Sequence, residues 1–185
     1  MHPIEHLLQE HRDIRAQIAD LRAATCDLAM RGAAALPDAL PVLRRIGQMM
    51  QTQLALHAKK EDEALFPAIE AVLGMDGSPT IVMRQEHDDI HARGEIMRQV
   101  LHQLSVMEHP AIETEAEKLQ WLSVNGGSAA TLRATAEEII ELLDAHFGKE
   151  EQMLFPMAEN VLGAETLAEV GQKMEALDRS KGQPE

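Results

Sequence analysis

Cationic residues are scarce in this chain: 17 Lys and Arg face 31 Asp and Glu, a formal charge of −14. That balance argues against a nucleic-acid groove or an anionic membrane surface as partner. The only cysteine, Cys26, rules out a disulfide framework and any cysteine-rich zinc or iron–sulfur site, and makes a reducing cytoplasm the expected location. No stretch approaches the ~18 apolar residues of a membrane span, and the N-terminus MHPIEHLLQEHRDIR has no cationic segment followed by an apolar run. The chain is therefore expected to be neither embedded nor exported by that route. Tyrosine is absent and aromatic residues make up 2%, whereas methionine reaches 11 and histidine 9. With 185 residues, 45% hydrophobic and 26% charged, there is enough for one globular domain with a real core. Histidine is the excess that needs an explanation.

Strand-like alternation is also nearly absent. Apolar positions recur at steps of three and four over four long stretches, the period of helices that bury one seam. The first, roughly 3 to 31 and ending at Gly32, carries Leu7, His11, Ile14, Ile18, Leu21, Thr25 and Leu28. The second, roughly 38 to 72, carries Leu43, Ile46, Met50, Leu54, His57, Glu61, Leu65 and Ala68, with Asp38 as cap and Pro41 in the first turn. Ser78-Pro79 opens a third, with Met83, His87, Ile90, Gly94, Met97, Leu101 and Leu104 inward. Asn125-Gly126-Gly127-Ser128 is read as a break that caps a fourth, with Leu132, Ala136, Ile139, Leu143, His146, Glu150, Met153 and Met157 inward.

The expected fold is all-α, an antiparallel up-down-up-down four-helix bundle over residues 1–162 with short extra helices. One extra helix, carrying Trp121, is expected in the link from about 108 to 127. Another, over 164 to 177, lies in the C-terminal segment 163–185 and packs across one end, followed by a disordered tail from Arg179.

The sequence contains itself twice. An offset of 76 lays Pro3, Gln9-Glu10-His11, Asp13 and Ile14 onto Pro79, Gln85-Glu86-His87, Asp89 and Ile90. An offset of 89 lays His57-x-x-Lys60-Glu61-x-x-x-Leu65-Phe66-Pro67 onto His146-x-x-Lys149-Glu150-x-x-x-Leu154-Phe155-Pro156. Each half is thus a helical hairpin, and the pair makes the bundle. The repeat also sets a height. His11 and His87 lie ~12 Å after a helix-opening proline, and His57 and His146 ~15 Å before a proline expected to kink or end the helix. In an antiparallel bundle all four fall in one layer.

Glu61 and Glu150 follow His57 and His146 by one turn, on the same face, and enter the same layer. Two facing carboxylates in a core cost several kcal/mol each and repel, and no Lys or Arg lies in the four seams to neutralise them. A cationic metal centre does. Imidazole plus carboxylate without thiolate suits iron first, then manganese or zinc. Two carboxylates converging from opposite helices suit a pair of ions better than one closed tetrahedral zinc.

The series His11, His57-x-x-x-Glu61, His87, His146-x-x-x-Glu150, with Leu-Phe-Pro after each His/Glu pair, resembles the hemerythrin-like (HHE cation-binding) proteins over about residues 3 to 162. The resemblance implies a non-haem di-iron centre with an oxo or hydroxo bridge, in which His11, His57, His87 and His146 are terminal ligands and Glu61 and Glu150 bridge. His91, one turn after His87, resembles the His-x-x-x-His pair of the oxygen carriers, whereas His146-x-x-x-Glu150 departs from their His-x-x-x-x-Asp. His91 is expected to ligate as well, and with it bound one coordination position stays open. Without it two do, leaving a more reactive centre.

Met50, Leu54, Ile14, Ile90, Met83, Leu143 and Met153 flank the layer, so the open position is expected to face an apolar pocket suited to O2 or NO. No inward Lys, Ser or Tyr is placed for acid–base or nucleophilic work, which disfavours organic substrates. His6 faces elsewhere, and His102 and Cys26 lie too far along their helices to ligate. Glu10, Glu86, Lys60 and Lys149 recur beside the ligands as partners behind them or as solvated faces, and the clusters Glu61-Asp62-Glu63 and Glu150-Glu151 help cations approach. The leading expectation is an O2-binding di-iron protein. The alternatives are a redox, NO-detoxifying or iron-centre repair enzyme, and an oxygen or iron sensor module.

Overall fold

Pro3, which has no N–H to leave unpaired, opens α1 (Pro3–Arg31), and Gly32 closes it at φ +57. A side chain at that φ is strained, so Gly32→Ala is expected to cost about 1 kcal/mol, read as a lower denaturation midpoint. The computed structural model describes residues 2–74, 78–106 and 115–180, side chains excepted over 105–126, and among these every regular element is helical.

A 3-10 turn (Gly32–Ala35) leads straight into α2 (Leu36–Met49). This helix begins earlier than expected, with Pro37 in its first turn and Pro41 inside it. Asp38 accepts from Arg31 at 2.9 Å instead of capping. A π turn (Met50–Leu54), α3 (Ala55–Lys60), a second π turn (Glu61–Leu65) and α4 (Phe66–Leu73) continue the same rod. Ser78 caps the third rod, α5 (Thr80–Val106), its Oγ accepting from the Thr80 N–H at 3.4 Å. The fourth comprises α6 (Glu115–Lys149), a π turn (Glu150–Leu154) and α7 (Phe155–Val161), and α8 (Ala164–Ser180) follows.

Three expectations need correction. The helix does not break at Asn125-Gly126-Gly127-Ser128. α6 runs through it, because packing against α1, α5 and the 3-10 turn offsets the ~1 kcal/mol that each helical glycine costs. Trp121 therefore lies in α6 and not in a separate short helix; its side chain and residues 107–114 are outside the described set. Pro67 and Pro156 neither end nor break their rods, because a π turn precedes each and moves away the carbonyl that the proline ring would strike.

Those wide turns also shift the phase of the seam by one residue. Met153, expected inward, is 49% exposed and Met157 half-buried, while Leu154 and Ala158 are buried; Ile69 likewise replaces Ala68. Of the expected tail, Arg179 and Ser180 finish α8, and 181–185 lie outside the described residues.

The first rod packs on α2 and α6, and α5 packs on the same two. α8 lies against α1, α3 and the Glu61–Leu65 turn. Buried apolar side chains form two clusters. One runs from Ile14 and Leu43 to Phe147, and the other joins Leu7, Phe66 and Phe155 to Leu167, Val170 and Met174 of α8. Between them lies a layer of buried polar groups. No helix among the described residues is long and apolar enough to cross a membrane.

Candidate metal centre

Each rod sends one imidazole into that layer: His11 from α1, His57 from α3, His87 from α5 and His146 from α6. Glu61 and Glu150 are the first residues of the two repeated π turns. His11, Glu61 and Glu150 are fully buried, and His57, His146 and His87 nearly so. The donors form two sets, His11/His57/Glu61/Glu150 and Glu61/His87/His146/Glu150, each with ligand atoms within 4.8 Å of one another and both sharing the two carboxylates.

An outer carboxylate fixes every ring. His11 Nδ1 donates to Glu151 at 2.7 Å, His57 Nδ1 to Glu10 at 3.0 Å, His87 Nδ1 to Asp62 at 3.3 Å and His146 Nδ1 to Glu86 at 3.0 Å. A carboxylate only accepts, so the proton sits on Nδ1 and each Nε2 lone pair faces inward, the arrangement that orients histidine on a metal. The inner atoms are then left in surplus. His11 Nε2 and His57 Nε2 stand 3.0 Å apart, two lone pairs face to face unless a proton or cation lies between them. Both oxygens of Glu61, both of Glu150, and Nε2 of His87 and of His146 are buried without a hydrogen-bond partner. His146 Nε2 and His11 Nε2 come within 3.0 and 3.1 Å of Glu150, but not in hydrogen-bonding directions. This donor set fits cations that draw on all six side chains, and nothing else among the described residues satisfies it.

Before a cation enters, protons take that role. Burial alone would depress His87, yet its contacts with Asp62 and Glu61 and their charges hold it up at about 10. His57 and His146 are also raised against burial, chiefly by the charges and contacts of Glu61, Glu150, Glu10 and Glu86.

The sequence matches the hemerythrin HHE cation-binding domain over residues 2–158 and again over 102–180. The chain belongs to that family. It is similar to proteins named iron–sulfur cluster repair protein YtfE, 27% identical over 159 residues in Enterobacter sp. (strain 638), 27% over 157 in Citrobacter koseri and 26% over 157 in Escherichia coli O1:K1. Each match covers 84% of this chain, which spans 64% of the length of those relatives.

Within this HHE domain, His91 lies outside both donor sets, exposed at the mouth of a cavity of about 370 Å³ beside His57, His87 and His146. Under the repeat its counterpart is Arg15, which ion-pairs with Glu151 at 2.6 Å. Asp62 and Glu151, read from the sequence as aids to cation approach, instead hold the rings of His87 and His11. Their recurrence at the offset of 89, directly after Glu61 and Glu150, is the signal that marks them. Phe147 was not anticipated either. Its ring stacks on His11 with centroids 4.0 Å apart.

Lys60 proves fully buried. Its Nζ reaches His6 at 2.9 Å, Asp178 of α8 at 2.6 Å and Glu10, so it supports the carboxylate behind His57 and does not neutralise Glu61. Glu10 is held down to about 2 against burial by His57 and Lys60. Lys149 pairs with Glu86 in the same way, but half exposed.

Proposed function

We propose that the four rods form an antiparallel up-down-up-down bundle over residues 1–162, strapped at one end by 163–185, and that its polar layer holds two iron ions in a cytoplasmic non-haem di-iron protein. His11 and His57 would hold one ion and His87 and His146 the other, with Glu61 and Glu150 shared by both. The observation that carries this reading is the pair of donor sets sharing two carboxylates with no other partner. When bound, iron supplies electron transfer and an open position for a small ligand. The chain's own residues orient that chemistry: the outer carboxylates aim each Nε2, and the apolar clusters above and below keep bulk water out.

With His91 outside both donor sets, bound iron would be more open to small ligands, which favours redox handling of NO or repair of iron centres over simple carriage. The name of the relatives points the same way, with iron–sulfur proteins as the partners to be served. Reversible O2 binding is the second reading, favoured by the apolar cavity walls Met50, Leu54 and Ile90.

Anaerobically purified protein is expected to carry two irons per chain and, once reduced, to consume NO with turnover. Reversible O2 uptake without NO turnover selects the second reading, and failure to bind iron overturns both. His91→Ala is expected to keep both ions while changing the rate of NO or O2 combination, measured by rapid mixing. Loss of an ion in that variant would return His91 to the ligand set.

A further inference from the structure

The internal repeat permits a comparison of the centre's two sides, residue against residue. They agree closely at the ligands. His11 has Glu151 on Nδ1 and Phe155 at 5.4 Å; His87, its counterpart, has Asp62 on Nδ1 and Phe66 at 5.8 Å, and Asp62 and Phe66 are the counterparts of Glu151 and Phe155. Beyond those contacts the two sides diverge. On the His11 side, Phe147 stacks on the imidazole, Arg15 lies over the Phe147 ring at 5.4 Å, and Ile18 is buried in the same apolar cluster as Phe147. At the offsets of 89 and 76 the corresponding residues are Ala58, His91 and Gly94. All three line the cavity of about 370 Å³, which reaches His57, His87 and His146 but not His11. Gly94 gives its side-chain space to Met50, whose Cε would stand 3.0 Å from an added β-carbon. A plug of phenylalanine, isoleucine and arginine on one side is thus replaced by alanine, glycine and an exposed histidine on the other.

We infer that outside ligands reach this centre from the His87/His146 side alone, through a port opened by Ala58, Gly94 and His91, with Ala58 setting the size of ligand admitted. This rests on the reading of the layer as a two-cation centre. The class of ligand is small and slender, such as NO, O2 or azide, because Met50, Leu54 and Ile90 line the cavity beside the imidazoles. His91 is then a rim residue met by the ligand on its way in, as its counterpart Arg15 is a lid on the closed side.

Ala58→Phe restores the plug and tests the inference. In iron(III)-loaded wild type, azide is expected to bind at one ion of the pair. In Ala58→Phe both ions are retained and azide affinity falls by about tenfold or more. A second readout needs no ligand. Cobalt(II) release into excess chelator is expected to be biphasic in wild type, the ion on the His87/His146 side leaving faster, and Ala58→Phe slows the fast phase alone. If Ala58→Phe does not fold, Ala58→Leu gives the same changes in smaller degree. Two bound ions with unchanged azide affinity and release rates overturn the port. Wild type that binds fewer than two ions overturns the two-cation reading itself, whatever azide does.

Discussion

Glu150→Gln is expected to empty the layer of ions, and Glu61→Gln to do the same. Each carboxylate belongs to both donor sets, so one substitution strikes both cation positions, and affinity for the pair is expected to fall by more than the roughly hundredfold that partners behind a ligand contribute. Glutamine keeps the volume and the reach, so the loss reports charge and not packing. The same change acts on the unloaded protein. Burial depresses His146, and the contact and charge of Glu150 are the largest influences raising it, so removing that charge lowers the pH at which the ring loses its proton. Metal content after dialysis and a calorimetric titration check the first effect, and the imidazole proton signals of His146 check the second. Two ions retained with wild-type affinity would end the bridging role for that residue.

The six side chains of the layer were legible in the sequence because they recur, and a repeat carries height as well as spacing. Offsets of 76 and 89 placed four histidines and two glutamates in one layer without any structure, and the geometry brings those six together. His91 was not separable in this way. Helical spacing puts a residue four after His87 near the same face, but whether it turns inward depends on the neighbouring rod, and here Ala58 leaves a cavity where a bulkier residue would set the wall.

The phase slip at Met153 and Met157 was hidden for a different reason. A proline in a periodic stretch reads as an end, whereas one residue of extra winding before it lets the helix continue with its seam rotated. The burial of Lys60 was illegible because it is made by α8, more than a hundred residues downstream, whose Asp178 supplies the missing counter-charge. Local patterns report the faces of a helix and not what later covers them.

Removing metal is expected to have the largest effect on stability, and one that depends on pH with a definite sign. A ligand present at about a thousandfold over its dissociation constant adds about 4 kcal/mol, so two ions lift the unfolding temperature by on the order of 20 °C in a chain of this size. In the unloaded protein, His57, His87 and His146 titrate above the ordinary imidazole value of 6.5, His87 at about 10. The stability they contribute is complete below about 6.5 and is lost as pH rises through those values, on the order of 5 kcal/mol for His87 alone. The carboxylates run the opposite way. Glu10, held at about 2, and Glu86 and Glu151, also lowered against burial by their histidine and basic partners, contribute fully above 4.5 and lose that contribution as pH falls toward 2. Unloaded protein is therefore most stable between about pH 4.5 and 6.5. Cations need the neutral rings, so loading releases protons and tightens as pH rises. The gap in unfolding temperature between loaded and unloaded protein should widen steadily from pH 6 to pH 9, measured by calorimetry with and without chelator. A gap that stays constant would mean that the imidazoles are not the groups the metal displaces protons from.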